Sequence, residues 1–93
     1  MKRFSILTND MTKCYVCEAT QNIHIHEIYF GRNRNNSIKY GCCIPLCAYH
    51  HNMSNDGIHF NTELNNKIQK ECELKFKEIY NEEFIKIFYK SYL

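Results

Sequence analysis

The spacing of apolar positions changes character along this chain, and the changes divide it. From Ile23 to Phe30 apolar and histidine positions alternate at first, and β-branched and aromatic residues dominate, which predicts a strand. Tyr40 to Leu46 has the same character and is expected to return antiparallel to the first strand. Pro45 has no amide hydrogen, so it is expected near that strand's end or on an edge. From about Thr62 the period becomes helical: Leu64, Ile68, Cys72, Phe76 and Ile79 recur at spacings of four and three and form one apolar stripe. Asn61 or Thr62 can cap that helix. Asn81 interrupts the pattern and is expected to cap a second helix, with Glu82 and Glu83 in its first turn and Phe84, Ile85, Phe88 and Tyr92 on its buried side.

The segments between these elements read as irregular. Residues 1–13 have no clear period. Gly31 to Ser37 is expected to be loop from its Gly, Asn and Ser content, and Asn52 to Gly57 is turn-rich. The predicted class is α+β: a single domain, residues 1–93, with a cysteine- and histidine-bearing hairpin over residues 13–60 and C-terminal helices over 61–93.

Two short motifs bracket the hairpin. Cys14-Tyr15-Val16-Cys17 and Cys47-Ala48-Tyr49-His50 each place two metal-binding side chains at the spacing of a knuckle. Together they offer a closed tetrahedral set for structural zinc, which would tie the N-terminal region to the end of the second strand and contribute folding energy. His51 could replace His50 as the fourth ligand. Cys72 lies on the helical stripe and reads as a small buried hydrophobe. Cys42 and Cys43 are adjacent on a strand, so they point to opposite faces and at most one could reach a given metal.

Composition narrows the setting. An apolar content of 44% in 93 residues can fill one modest core, which a metal clip would supplement. The opening residues contain no long apolar run, so no secretory leader is expected, and cysteines clustered with histidine fit a reducing cytoplasm better than a disulfide scaffold. No stretch approaches the ~20 apolar residues needed to span a bilayer. The net charge of +2 comes from residues 1–60, which carry six basic and four acidic side chains, whereas residues 61–93 carry six of each. Arg32, Arg34 and Lys39 lie in an amide-rich segment without acid, a composition suited to phosphate contacts and equally to an ordinary solvated loop.

With the zinc set assigned, His24, His26, His51 and His59 remain. His24 and His26 share a strand face, and the second knuckle brings His51 back towards it. Here the chain resembles the HNH endonucleases, the zinc-knuckle branch of the ββα-metal (His-Me finger) nucleases. The resemblance is carried by the first knuckle, by Ile25-His26-Glu27-Ile28-Tyr29-Phe30-Gly31, and by Ile44-Pro45-Leu46-Cys47-Ala48-Tyr49-His50-His51. The chain looks most like the small HNH proteins encoded by phages and prophages of Gram-positive bacteria. With them the resemblance continues through Gly57-Ile58-His59-Phe60-Asn61 and Glu82-Glu83-Phe84-Ile85-Lys86, so it covers nearly the whole chain.

The resemblance implies a metal-dependent DNA endonuclease acting in a bacterial host cytoplasm. It implies structural Zn²⁺ and a catalytic divalent ion such as Mg²⁺, Mn²⁺ or Ni²⁺. His26 and His51 match metal ligands, with His59, then Asn55, as candidates for the third. Glu27 stands where the family usually has the histidine that removes a proton from water; a carboxylate, or His24 one strand repeat away, would have to serve. The family's middle asparagine has no clear counterpart, and Cys42 occupies its expected place. Arg32, Arg34 and Lys39 would contact the DNA backbone. The alternative reading is a catalytically impaired nucleic-acid-binding zinc module of phage origin, and the aromatic C-terminal helices offer a surface for homodimerisation.

Overall fold

The computed structural model describes residues 3–93, an α+β arrangement of two strands and four α-helices. Strand β1 (Ile23–Glu27) pairs antiparallel with β2 (Cys43–Cys47), with Ile23 opposite Cys47, Ile25 opposite Pro45 and Glu27 opposite Cys43. Helix α1 (Arg34–Tyr40) lies between the strands, α2 (Ala48–His51) follows β2 directly, and α3 (Thr62–Ile79) and α4 (Phe84–Phe88) complete the chain.

Pro45 is tolerated at the centre of β2 because of which way its backbone faces. Its carbonyl accepts from Tyr15 N at 2.8 Å, away from β1. A strand residue's N and C=O share a side, so the missing N–H falls on the outer edge and costs no ladder bond. The same bond docks the first knuckle against β2.

The segment expected to be loop is instead a 3₁₀ turn (Gly31–Asn33) running into α1. Its amides read as turn formers, yet they serve tertiary partners. Asn33 Nδ2 donates to Phe88 O at 3.0 Å, and Asn36 Nδ2 donates to Ile87 O at 3.0 Å, satisfying carbonyls at the end of α4. Ser37 is buried; its hydroxyl donates to Tyr29 O at 2.6 Å and accepts from Tyr29 N at 3.1 Å. Gly41 ends α1 in the left-handed region at φ +75°, and a Cβ there would run into the Phe4 ring. Because residues 34–40 are helical, the second strand begins at Cys43 rather than Tyr40. The first ends at Glu27 rather than Phe30, with Gly31 at φ +67° turning the chain away.

The core forms where α3 and α4 meet Tyr29 and β2. Tyr29, Phe76, Phe84 and Phe88 are all buried, with ring centroids 4.6–5.4 Å apart among Phe84–Phe88, Tyr29–Phe88, Tyr29–Phe84 and Phe76–Phe84. Burying each such ring stabilises by about 2–3 kcal/mol. Ile68, Cys72 and Phe76 hold the predicted stripe, and Asn61 caps α3 by accepting from Leu64 N at 3.1 Å. Ile79 ends the helix half-exposed, and Ile85 faces outward on α4, so both leave the predicted buried faces. The cap of α4 is Glu83, not Asn81. The buried carboxylate of Glu73 fixes the C-terminal segment, accepting from Tyr92 N at 2.6 Å and Ser91 Oγ at 2.7 Å with Lys77 Nζ at 3.1 Å. Burial pushes the Glu73 carboxyl up, but these donors outweigh it and hold it below the usual range. Phe84 and Phe88 are used within the chain's own core, leaving Ile85, Tyr89 and Leu93 as exposed apolar residues of the C-terminal region. Among the described residues no helix is long and apolar enough to cross a membrane.

Candidate metal centres

The first knuckle is a tight turn closed by Cys14 N–Ala19 O (2.8 Å) and Glu18 N–Cys14 O (2.9 Å), with Glu18 at φ +65°. The second is the junction of β2 and α2. Together they bring Cys14, Cys17, Cys47 and His50 within 4.8 Å of one another, a group that could hold a metal ion. Cys17 Sγ–Cys47 Sγ is 3.7 Å, Cys47 Sγ–His50 Nδ1 is 3.3 Å and Cys14 Sγ–His50 Nδ1 is 3.9 Å. A tetrahedron with zinc bond lengths has S–S edges of about 3.8 Å and S–N edges of about 3.6 Å. The donor separations therefore fit that ion. Burial opposes ionisation of Cys14, but N–H donors at Cys47, Cys17 and Val16 prevail and lower its pKa, favouring the thiolate that binds metal.

His50 and His51 are neighbours in α2, and successive helical residues point about 100° apart. His50 turns to the thiols and His51 turns to β1. The chain then doubles back: Ile58 N donates to His50 O at 2.7 Å and His59 N to His51 O at 3.3 Å. Gly57 permits this return, since a Cβ there would lie 2.8 Å from His51 O. His59 is thereby set beside His51, with their Nε2 atoms 3.1 Å apart.

His26, His51 and His59 form a second cluster whose donor atoms also lie within 4.8 Å of one another. His26 is buried, and its Nε2 has no hydrogen-bond partner among the described residues. Such an orphaned buried nitrogen calls for a partner. Burial, then the positions of His51 and His59, push His26 down to about 3, and burial likewise lowers His51. His26 therefore stays neutral at ordinary pH, as an imidazole ligand must. The 3.1 Å edge between His51 and His59 is close to the ~3.0 Å expected between adjacent nitrogens of an octahedral ion.

A cleft of about 270 Å³ opens on these imidazoles, with Ile25, Glu27, Phe30 and Arg34 completing its walls. Glu27 is mostly buried, accepts from Arg34 Nε at 2.6 Å and lies 3.7 Å from Arg3 Nη2. Of the three cations expected to contact phosphate, only Arg34 borders this cleft. Arg32 stacks 3.9 Å over the Tyr89 ring, and Lys39 lies 5.3 Å over Tyr40. Asn55 is exposed in a turn and does not line the cleft. Cys42, Cys43 and Cys72 are buried and belong to neither cluster; burial, then the Glu27 charge, pushes the Cys43 thiol up to about 12.

Three participants carry little signal in the sequence. His24 Nδ1 lies 2.9 Å from His51 Nδ1, so one donates and the other accepts. The strand face shared by His24 and His26 places His24 near the site, but nothing in the sequence pairs it with His51. Arg3 reaches Glu27 from a segment with no period, laid down by Ile6 N donating to Gly41 O at 2.9 Å. Phe30 is half-exposed at the cleft wall just beyond β1. Comparisons with family models, curated proteins and solved structures found no match to this chain.

Proposed function

We propose that this protein is a metal-dependent endonuclease of the HNH type that hydrolyses DNA phosphodiester bonds. One observation carries the reading. The adjacent residues His50 and His51 enter two different metal-ligand clusters, one closed by four ligands and one offering three imidazoles. Four ligands suit a structural ion, here Zn²⁺; three leave positions open, as catalytic sites do. The antiparallel pair β1–β2 with α2 directly after β2, which together carry His26 and His51, supports a ββα-metal fold.

In this reading His26, His51 and His59 hold a divalent ion, which when bound supplies positive charge to the scissile phosphate and the leaving oxygen. Three nitrogen donors favour Ni²⁺ over Mn²⁺, and both over Mg²⁺. His24 fixes the ring of His51 through the Nδ1–Nδ1 contact, leaving Nε2 directed at the cluster. Arg34 sets the phosphate beside the imidazoles. Contacts of this kind position the backbone and carry little sequence preference.

The test is supercoiled plasmid incubated with zinc-loaded protein and Mg²⁺, Mn²⁺ or Ni²⁺, beside His51→Ala. Nicking that the substitution reduces at least ~100-fold supports the reading. No cleavage with any metal, or equal cleavage by the variant, removes it. The ion pairing of Glu27 favours a second reading, a nucleic-acid-binding zinc module without catalysis. It predicts duplex binding at low salt without nicking.

A further inference from the structure

We infer that Glu27 is a positioning residue for Arg34 and not a proton acceptor, and that Arg34 and Arg3 together seat one phosphodiester at the mouth of the imidazole cleft. The inference rests on the nucleic-acid reading of the cleft but does not require cleavage. Glu27 Oε1 accepts from Arg34 Nε at 2.6 Å and lies 3.7 Å from Arg3 Nη2, so this oxygen faces two guanidinium groups. The Glu27 side chain is 14% exposed, against 56% for Arg34 and 33% for Arg3. The carboxylate thus sits beneath its cations.

Arginine has five N–H donors, and a bond through Nε leaves the terminal ones for a second anion. Two guanidinium groups on one carboxylate carry a net charge of +1, which a phosphodiester neutralises. An unpaired carboxylate at the same place would repel it. The base of the arm is rigid as well. Arg34 begins α1, and Asn33 and Asn36 tie that segment to the end of α4. The anchor therefore aims a long side chain whose backbone is already fixed, which reduces the entropy lost on binding phosphate.

Glu27→Gln and Glu27→Ala separate anchoring from charge. Both remove the same negative charge, but only Gln keeps an oxygen that accepts from Arg34 Nε. Binding of a short fluorescein-labelled DNA duplex is followed by anisotropy with zinc-loaded protein and no added divalent ion. Glu27→Gln is expected to bind roughly fivefold or more tightly than Glu27→Ala. Arg34→Ala is expected to lower the salt slope by about one. In ¹⁵N spectra the Arg34 Nε–H signal persists in Glu27→Gln and is lost in Glu27→Ala. Equal binding by the two Glu27 variants, or no duplex binding by the parent protein at low salt, overturns the inference. In the plasmid assay Glu27→Gln should lose less kcat than Arg34→Ala, because the amide oxygen still holds the guanidinium in place. A fall of ~100-fold at unchanged KM would identify Glu27 as the proton acceptor and also overturn it. If the parent protein binds duplex but cuts nothing with any metal, the nuclease reading fails while the binding comparison still decides the anchor.

Discussion

The two histidine-containing clusters are built from adjacent residues of one short helix, yet they differ in almost every physical respect. The cluster around His50 has four donors, three of them sulfur, on two tight turns. The cluster around His51 has three imidazoles, drawn from β1, α2 and the returning segment at His59. Thiolates in a closed tetrahedron hold their ion as part of the fold. Neutral imidazoles around a cleft leave room for a ligand to arrive and depart. On the proposed reading, this 93-residue chain separates scaffold from chemistry between two adjacent residues of one short helix.

The largest expected effect comes from the closed cluster. Cys47→Ala, or chelation of the bound ion, should unfold most of the domain, since structural zinc is worth about 10–16 kcal/mol in small zinc-dependent folds. Far-ultraviolet circular dichroism before and after chelation reads this out; an unchanged spectrum would reduce the cluster to thiols without a structural ion. Next comes His51→Ala, with plasmid nicking at least ~100-fold lower but a thermal midpoint shifted by only a few degrees. Loss of folding in that variant would erase the distinction between the clusters.

His24→Ala sharpens the comparison within the open cluster. Its loss should weaken Ni²⁺ binding about 10–100-fold in calorimetry, as removal of an orienting partner does, while zinc content stays unchanged. His24→Gln, which retains hydrogen-bonding capacity, should recover part of that affinity. Unaltered Ni²⁺ affinity in His24→Ala would leave the 2.9 Å contact without consequence.

The smallest effect lies away from both clusters. Glu73 is held below the usual carboxyl range against the pull of burial. A depressed folded-state pKa gives stability that is present above the unfolded value and is lost as pH falls through the folded one. Glu73→Gln should cost about 1–3 kcal/mol near neutrality. It should also flatten the acid limb of the stability profile below about pH 4.5, relative to the parent protein. An acid limb of unchanged shape in the variant would show that Glu73 does not contribute to it.

The parts legible in the sequence were those governed by short spacing. Both knuckles follow from x2 spacing, the α3 stripe from its helical period, and the shared face of His24 and His26 from the period of a strand. The parts that were not legible depend on partners distant in sequence. Arg34 to Tyr40 is helical because Ser37 and Ile38 are buried and Asn33 and Asn36 satisfy the end of α4, some fifty residues away. The amide composition that suggested a loop is the same composition that makes those contacts. Arg3 reaches Glu27 only through tertiary packing, and Ile85 and Tyr89 face outward while Phe84, Phe88 and Tyr92 fill the space beside Tyr29.

The central claim is that His50 and His51 serve two different ions, and native mass spectrometry tests it most directly. Zinc-loaded parent protein titrated with Ni²⁺ should carry one ion of each kind. His51→Ala should keep its zinc and fail to take up nickel, whereas His50→Cys, which preserves a fourth ligand, should keep both. Loss of zinc from His51→Ala, or undiminished nickel uptake by it, would contradict the division of labour between these two side chains.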